Sequence, residues 1–175
     1  PPKLLSSPST ALGEMDGQTD EKQWFQVQKP SWFIDFQPPK DFILAGDCHV
    51  TRGGITVLGG APGVGKSRAA LGLALAGATG REWMGYQVHS KFKTLVIQAE
   101  NGPYRLKGEL TDISDDIDED LDEWLRITPP PTYGLAFTEP GFRAAIKDVI
   151  DNWEPSLIII DPWNRATQGD KQGDA

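Results

Sequence analysis

Eight residues a third of the way along the chain constrain it most: Gly60-Ala61-Pro62-Gly63-Val64-Gly65-Lys66-Ser67, which fits G-x-x-x-x-G-K-[ST] at every fixed position. The pattern has a physical origin. A loop that wraps a phosphate must turn successive backbone N–H groups inward, and glycine-rich backbone does this without Cβ clashes. A helix opening directly behind the loop adds its unpaired N–H groups and the positive end of its dipole. A lysine then reaches the β/γ-phosphates, and a Ser hydroxyl ligates Mg²⁺.

The flanks suit the motif. Ile55-Thr56-Val57-Leu58 is a short apolar run, the strand expected in front of the loop. Ser67 to about Ala78 is rich in Ala and Leu and predicts a helix, with Gly80 as its C-terminal stop. The octapeptide therefore implies binding of a nucleoside triphosphate, with ATP and Mg²⁺ as the expected cofactors.

Composition narrows the setting. The chain has 175 residues and a formal net charge of −8, so it is no general polyanion binder, and nucleic acid would need a local patch. Cys48 is the single cysteine, which excludes an internal disulfide and makes a reducing cytoplasm the expected compartment. No apolar stretch is long enough to span a bilayer, and Pro1-Pro2-Lys3 leads into polar sequence rather than a signal peptide.

Residues 1–23, rich in Pro, Ser, Thr, Gly and acids, read as a flexible tail. Residues 24–40 form an aromatic and proline-rich arm with Trp24, Phe25, Trp32, Phe33 and Phe36, suited either to packing or to a partner. The remainder, 41–175, reads as the core. His49 and Cys48 have too few potential co-ligands for a metal site. Lys93 to Glu100 is an apolar run ending in an acid, which predicts a buried parallel strand. Pro103 suits the first position of the next helix.

Asp115 to Glu123 holds seven acids in nine residues. A calcium loop fails there, because Leu121 stands where glycine is needed and Ile127 where the bidentate Glu is needed. Ile113, Ile117, Leu121 and Trp124/Leu125 recur at helical spacing instead, predicting a helix with its acids in solvent. Leu125 to Thr128 predicts a short strand and Gly141 to Ile150 an amphipathic helix. Leu157-Ile158-Ile159-Ile160-Asp161 is a last apolar strand ending in an acid. Alternating strands and helices with continuous apolar strands predict an α/β fold with a mostly parallel sheet and helices on both faces.

In such sheets the ligand lies outside the carboxyl ends of the strands. Lys66, Glu100 and Asp161 each follow a predicted strand and so converge on one edge. Lys66 would neutralise charge on the β/γ-phosphates, Ser67 would bind Mg²⁺, and Asp161 would hold the magnesium shell. Glu100 is placed either to orient and deprotonate water or to cap the helix behind it.

This arrangement resembles the RecA/DnaB-type ATPases, and more closely the RepA-like ring helicases of plasmids and phages. The resemblance covers roughly Asp41 to Ala175 and rests on residues 53–67, Gly80 to Gly85, Val96 to Asn101, and Leu157 to Pro162. It implies a RecA-like P-loop core in which the acid at Glu100 activates water. It also implies a homo-oligomer, commonly a hexameric ring, with ATP between subunits. A basic residue on the helix after Glu100 would meet the adenine, and Arg105 is the candidate. Fourteen residues follow Asp161, whereas the resembling proteins continue with a γ-phosphate sensor, an arginine for the neighbour's site and loops that contact single-stranded DNA. The chain is therefore expected to be a fragment, incomplete at its C-terminus.

Three functions share these motifs. One is a motor ATPase that moves on or remodels DNA; another is a nucleotide-gated binding module without translocation. The third is a small-molecule kinase, against which a water-activating Glu100 argues.

Overall fold

The structure is a computed structural model that describes residues 27–37, 39, 41–114, 117 and 120–166. The expected tail at 1–23 lies outside the described residues, as do Trp24 and Phe25. The chain divides into two units, Pro1–Pro39 and Lys40–Ala175. In the first, Pro30 opens a one-and-a-half-turn helix, α1 (Pro30–Asp35). Its apolar residues cluster locally, with Trp32 stacked on Phe36 at 5.5 Å and edge-on to Phe33 at 5.0 Å.

The second unit begins with a small hairpin, β1 (Ile43–Ala45) antiparallel to β2 (Val50–Thr51). The chain reverses at Gly46, whose φ of +62° places it in the left-handed region. A Cβ there would meet His49 Nδ1 at 2.4 Å, so the turn needs glycine. Leu44, Ala45 and Val50 join Leu73, Ala76, Val88 and Phe92 in an apolar cluster.

The expected strand at Ile55–Leu58 is not formed. The run is irregular, with Ile55 93% and Val57 84% exposed. A strand exists only where its N–H and C=O groups find a neighbouring strand, and among the described residues none pairs with this one. The Thr56 hydroxyl donates to His49 O at 2.9 Å. High β-propensity without a partner does not make a strand.

Next come α2 (Lys66–Thr79), β3 (Thr94–Gln98), α3 (Pro103–Ser114), α4 (Leu121–Trp124) and β4 (Leu125–Ile127). They are followed by α5 (Pro140–Trp153), β5 (Leu157–Asp161) and α6 (Trp163–Ala166). As predicted, Gly80 ends α2 in the left-handed conformation, its N–H bonded to Ala76 O at 2.7 Å. Pro103 is the first residue of α3. The predicted continuous acidic helix is instead two pieces. α3 ends at Ser114 and Ile117 is not helical, while Asp115, Asp116, Asp118 and Glu119 lie outside the described residues. Asp120 restarts the helix by accepting the Asp122 N–H at 3.1 Å. Aspartate side chains compete for backbone N–H groups, so an Asp-rich run favours a cap over a helix interior.

β3 is the central strand of the three-stranded parallel sheet, ordered β4-β3-β5, and all five of its residues are buried. Its two faces meet different helices. Leu95 and Ile97 pack with Phe142, Ile146, Val149, Ile150 and Trp153 of α5. Val96 and Gln98 face Ala70 and Leu71 of α2, with Ile127 and Ile159 from the outer strands beside them. Continuous burial on both faces is why the strand is apolar without alternation. The α/β reading with helices on both faces holds. Among the described residues no helix is long and apolar enough to cross a membrane.

Two glycines inside α2 are opposite cases. A Cβ on Gly77 would meet the buried Phe92 ring at 2.3 Å, whereas one on Gly72 would touch Trp83 Cδ1 at an ordinary 3.8 Å. Gly72→Ala is expected to stabilise the domain by about 0.5–1 kcal/mol through the unfolded chain. Gly77→Ala is expected to destabilise it by about 1 kcal/mol or more, since overpacking outweighs the same gain. Urea-unfolding midpoints of the two variants moving in the same direction would contradict this packing.

Candidate functional site

The parallel register brings the strand ends to one edge. Gln98, the last residue of β3, is paired with Asp161, the last residue of β5, and Ala99 N–H donates to Asp161 O at 3.2 Å. On the other side, Thr128 follows β4 and its hydroxyl accepts the Gln98 N–H at 3.1 Å. Glu100 stands two residues past the Gln98–Asp161 pair, in the bend before α3, exposed at this edge. The apolar runs that end in Glu100 and Asp161 thus lie side by side.

The loop 60–65 leads directly into α2, with Gly65 as its N-cap at φ 90°, ψ 17°. Gly63 and Gly65 both have left-handed φ, and a Cβ on either would stand in open space. Glycine is required there by the backbone turn and not by crowding. Lys66, the first helical residue, folds back so that its ammonium donates to Gly60 O and Ala61 O, both at 2.9 Å. The loop therefore carries a fixed positive charge over its own backbone, beside the N–H groups that every helix start leaves unpaired.

Ser67 faces inward. Between α2 and the sheet lies a space of about 20 Å³ bordered by Ser67, Gln98, Asn101, Glu109 and Asp161. That is room for one water-sized species. A hydroxyl and a carboxylate on such a space match the needs of Mg²⁺, which takes one or two protein ligands and fills its remaining positions with phosphate and water. The donor set fits a divalent cation at Ser67 and Asp161 and a triphosphate along residues 60–66. Gly60, Ala61, Pro62 and Val64 supply the rest of the loop.

Arg105 lies on the exposed side of α3, where its Nε is 3.0 Å from Glu109 Oε1. The pair spans one helical turn, and Glu109 in turn borders the small space by Ser67. Arg105 itself does not border it.

Sequence reasoning overlooked Gln98, Asn101, Thr128 and Glu109. One signal was available for the first: a long polar side chain inside an apolar, doubly covered strand must have every hydrogen-bonding group satisfied. Glu109 gave no comparable signal, since an acid four residues beyond an arginine reads as an ordinary helix-surface pair.

A protein-family model described as an AAA domain matches residues 20–175. No curated protein and no solved structure matches the chain significantly. The glycine loop before α2, the parallel sheet and the family match agree, and the chain belongs to the AAA-domain family of P-loop NTPases, nucleotide-binding ATPases.

Proposed function

We propose that the chain hydrolyses ATP with Mg²⁺ as the core of a RecA-like motor. One observation carries the reading: the register that pairs Gln98 with Asp161 sets Asp161 at the sheet edge that Glu100 follows, and Ser67 borders the same small space as Asp161. When bound, Mg²⁺ supplies positive charge that offsets what develops on the transferring phosphoryl group. Lys66 adds a second positive charge at the β/γ-phosphates. Ser67 and Asp161, which both border the small space, would hold the metal. Glu100, at the edge and open to solvent, orients a water and takes its proton.

The finer reading is a ring-forming DNA helicase or DNA-remodelling ATPase acting in replication of a plasmid, phage or mobile element. The run of motifs from Gly53 to Pro162 supports it, as does the exposure of the loop and of Ile55 and Val57 before it. A nucleotide on a loop so exposed is open on one side, where a neighbouring subunit would complete the site. Arg105 would then meet the adenine after parting from Glu109. The net charge of −8 favours a second reading, a nucleotide-gated module that assembles without translocating.

Glu100→Gln is expected to keep ATP binding and lower turnover by about 10²–10⁴-fold, the range for loss of a general base. Lys66→Ala should weaken binding as well. Equilibrium binding of a fluorescent ATP analogue beside steady-state phosphate release separates the two, and unchanged turnover in Glu100→Gln would reduce that residue to a helix cap. For Asp161→Asn, the Mg²⁺ concentration giving half-maximal turnover is expected to rise by about 10–100-fold; a titration superimposing on that of the unmodified chain would remove Asp161 from the metal site. Single-stranded DNA should accelerate turnover of the assembled protein. ATP-dependent oligomerisation with no such acceleration would select the module.

A further inference from the structure

We propose that Gln98 is a positioning residue for Glu100, an inference that rests on the reading of Glu100 as the base. A primary amide has two donors and two acceptor lone pairs, and at Gln98 all four are used. Nε2 donates to Asn101 O at 2.9 Å and to Thr128 O at 2.8 Å. Oε1 accepts from Glu100 N–H at 3.1 Å and from Asn101 N–H at 2.7 Å. The residue is 2% exposed, so water does not substitute for any of these partners.

The bonds have a direction. The main chain of Gln98 and Ala99 ties the turn 99–101 to β5 and so to Asp161. The side chain ties the same turn to the end of β4 through Thr128. The turn that carries Glu100 is thereby clamped between both outer strands. Glu100 is exposed, and the backbone from which it projects is held by its own N–H bond to Gln98 Oε1. A shift of about 1 Å in a reacting group can lower a rate by about 10²-fold.

No other side chain does the same work here. Glutamate keeps the acceptor half but confronts two carbonyl oxygens with a charge. Asparagine is one methylene short, and methionine fills the space with neither donor nor strong acceptor. The bonded groups would then be buried without partners.

The test uses the full chain with Gln98→Met and Gln98→Glu, each alone and combined with Glu100→Gln. Turnover, affinity for a fluorescent ATP analogue with Mg²⁺, circular dichroism and amide exchange are measured. Gln98→Met is expected to lower kcat by about 10–100-fold with ATP affinity within about threefold, and Gln98→Glu to fall between it and the parent. Amide exchange at Glu100 and Asn101 should accelerate. In the Glu100→Gln background, Gln98→Met should cause no further loss, because a misplaced base and an absent one are equivalent. The positioning role is overturned by an undiminished fractional loss in that background, by ATP affinity falling in step with kcat, or by loss of the folded circular dichroism signal in both variants. Normal turnover in Gln98→Met with an inactive Glu100→Gln also overturns it while leaving the base assignment intact. Normal turnover in Glu100→Gln overturns the base assignment itself.

Discussion

The parallel pairing of β3 with β5 is the constraint on which the remainder depends. Five residues pair in register from Thr94 with Leu157 to Gln98 with Asp161. Because side chains alternate across a sheet, a slip of one residue would exchange the face toward α5 for the face toward α2. Leu95 and Ile97 would lose the apolar cover of α5, and Gln98 would enter it without a partner. The register that satisfies the core therefore also fixes which groups stand at the carboxyl edge. Packing and site geometry are one decision here.

Much of that edge was legible in the chain because its signals are short-range. The loop 60–67 is set by where glycine must sit, and Gly80 and Pro103 mark helix ends through backbone rules that need no tertiary knowledge. Apolar runs ending in Glu100 and Asp161 identify strands and the side on which they finish, although only β3 is buried throughout while β5 is half-buried with Ile158 exposed. The unread parts depend on partners distant in sequence. Ile55–Leu58 has the composition of a strand, but composition does not supply a neighbour. The hairpin of β1 and β2 is too short for a period to emerge, and its turn rests on Gly46 clearing His49. The acidic run had a helical spacing of apolar residues, yet Asp120 acts as a cap and interrupts it.

Gln98 shows the same boundary within the site. Its place in the strand followed from the apolar run, but its use did not. Three of its side-chain bonds close locally on residues 100 and 101, and the fourth crosses to Thr128, thirty residues away. The crossing bond turns a local turn into a joint between strands.

The grip of Lys66 on Gly60 and Ala61 bears on how the loop discriminates among anions. Its ammonium is already bonded to two carbonyl oxygens, so an anion gains only the difference between its own oxygens and those two. Hydrogen bonds from a cation to charged oxygens are stronger than those to neutral ones, so a densely charged polyphosphate wins this competition and a weakly charged ligand does not. If Lys66 meets the phosphates as proposed, a lysine engaged in advance would set a threshold of charge density for entry, a form of selectivity that requires no pocket wall.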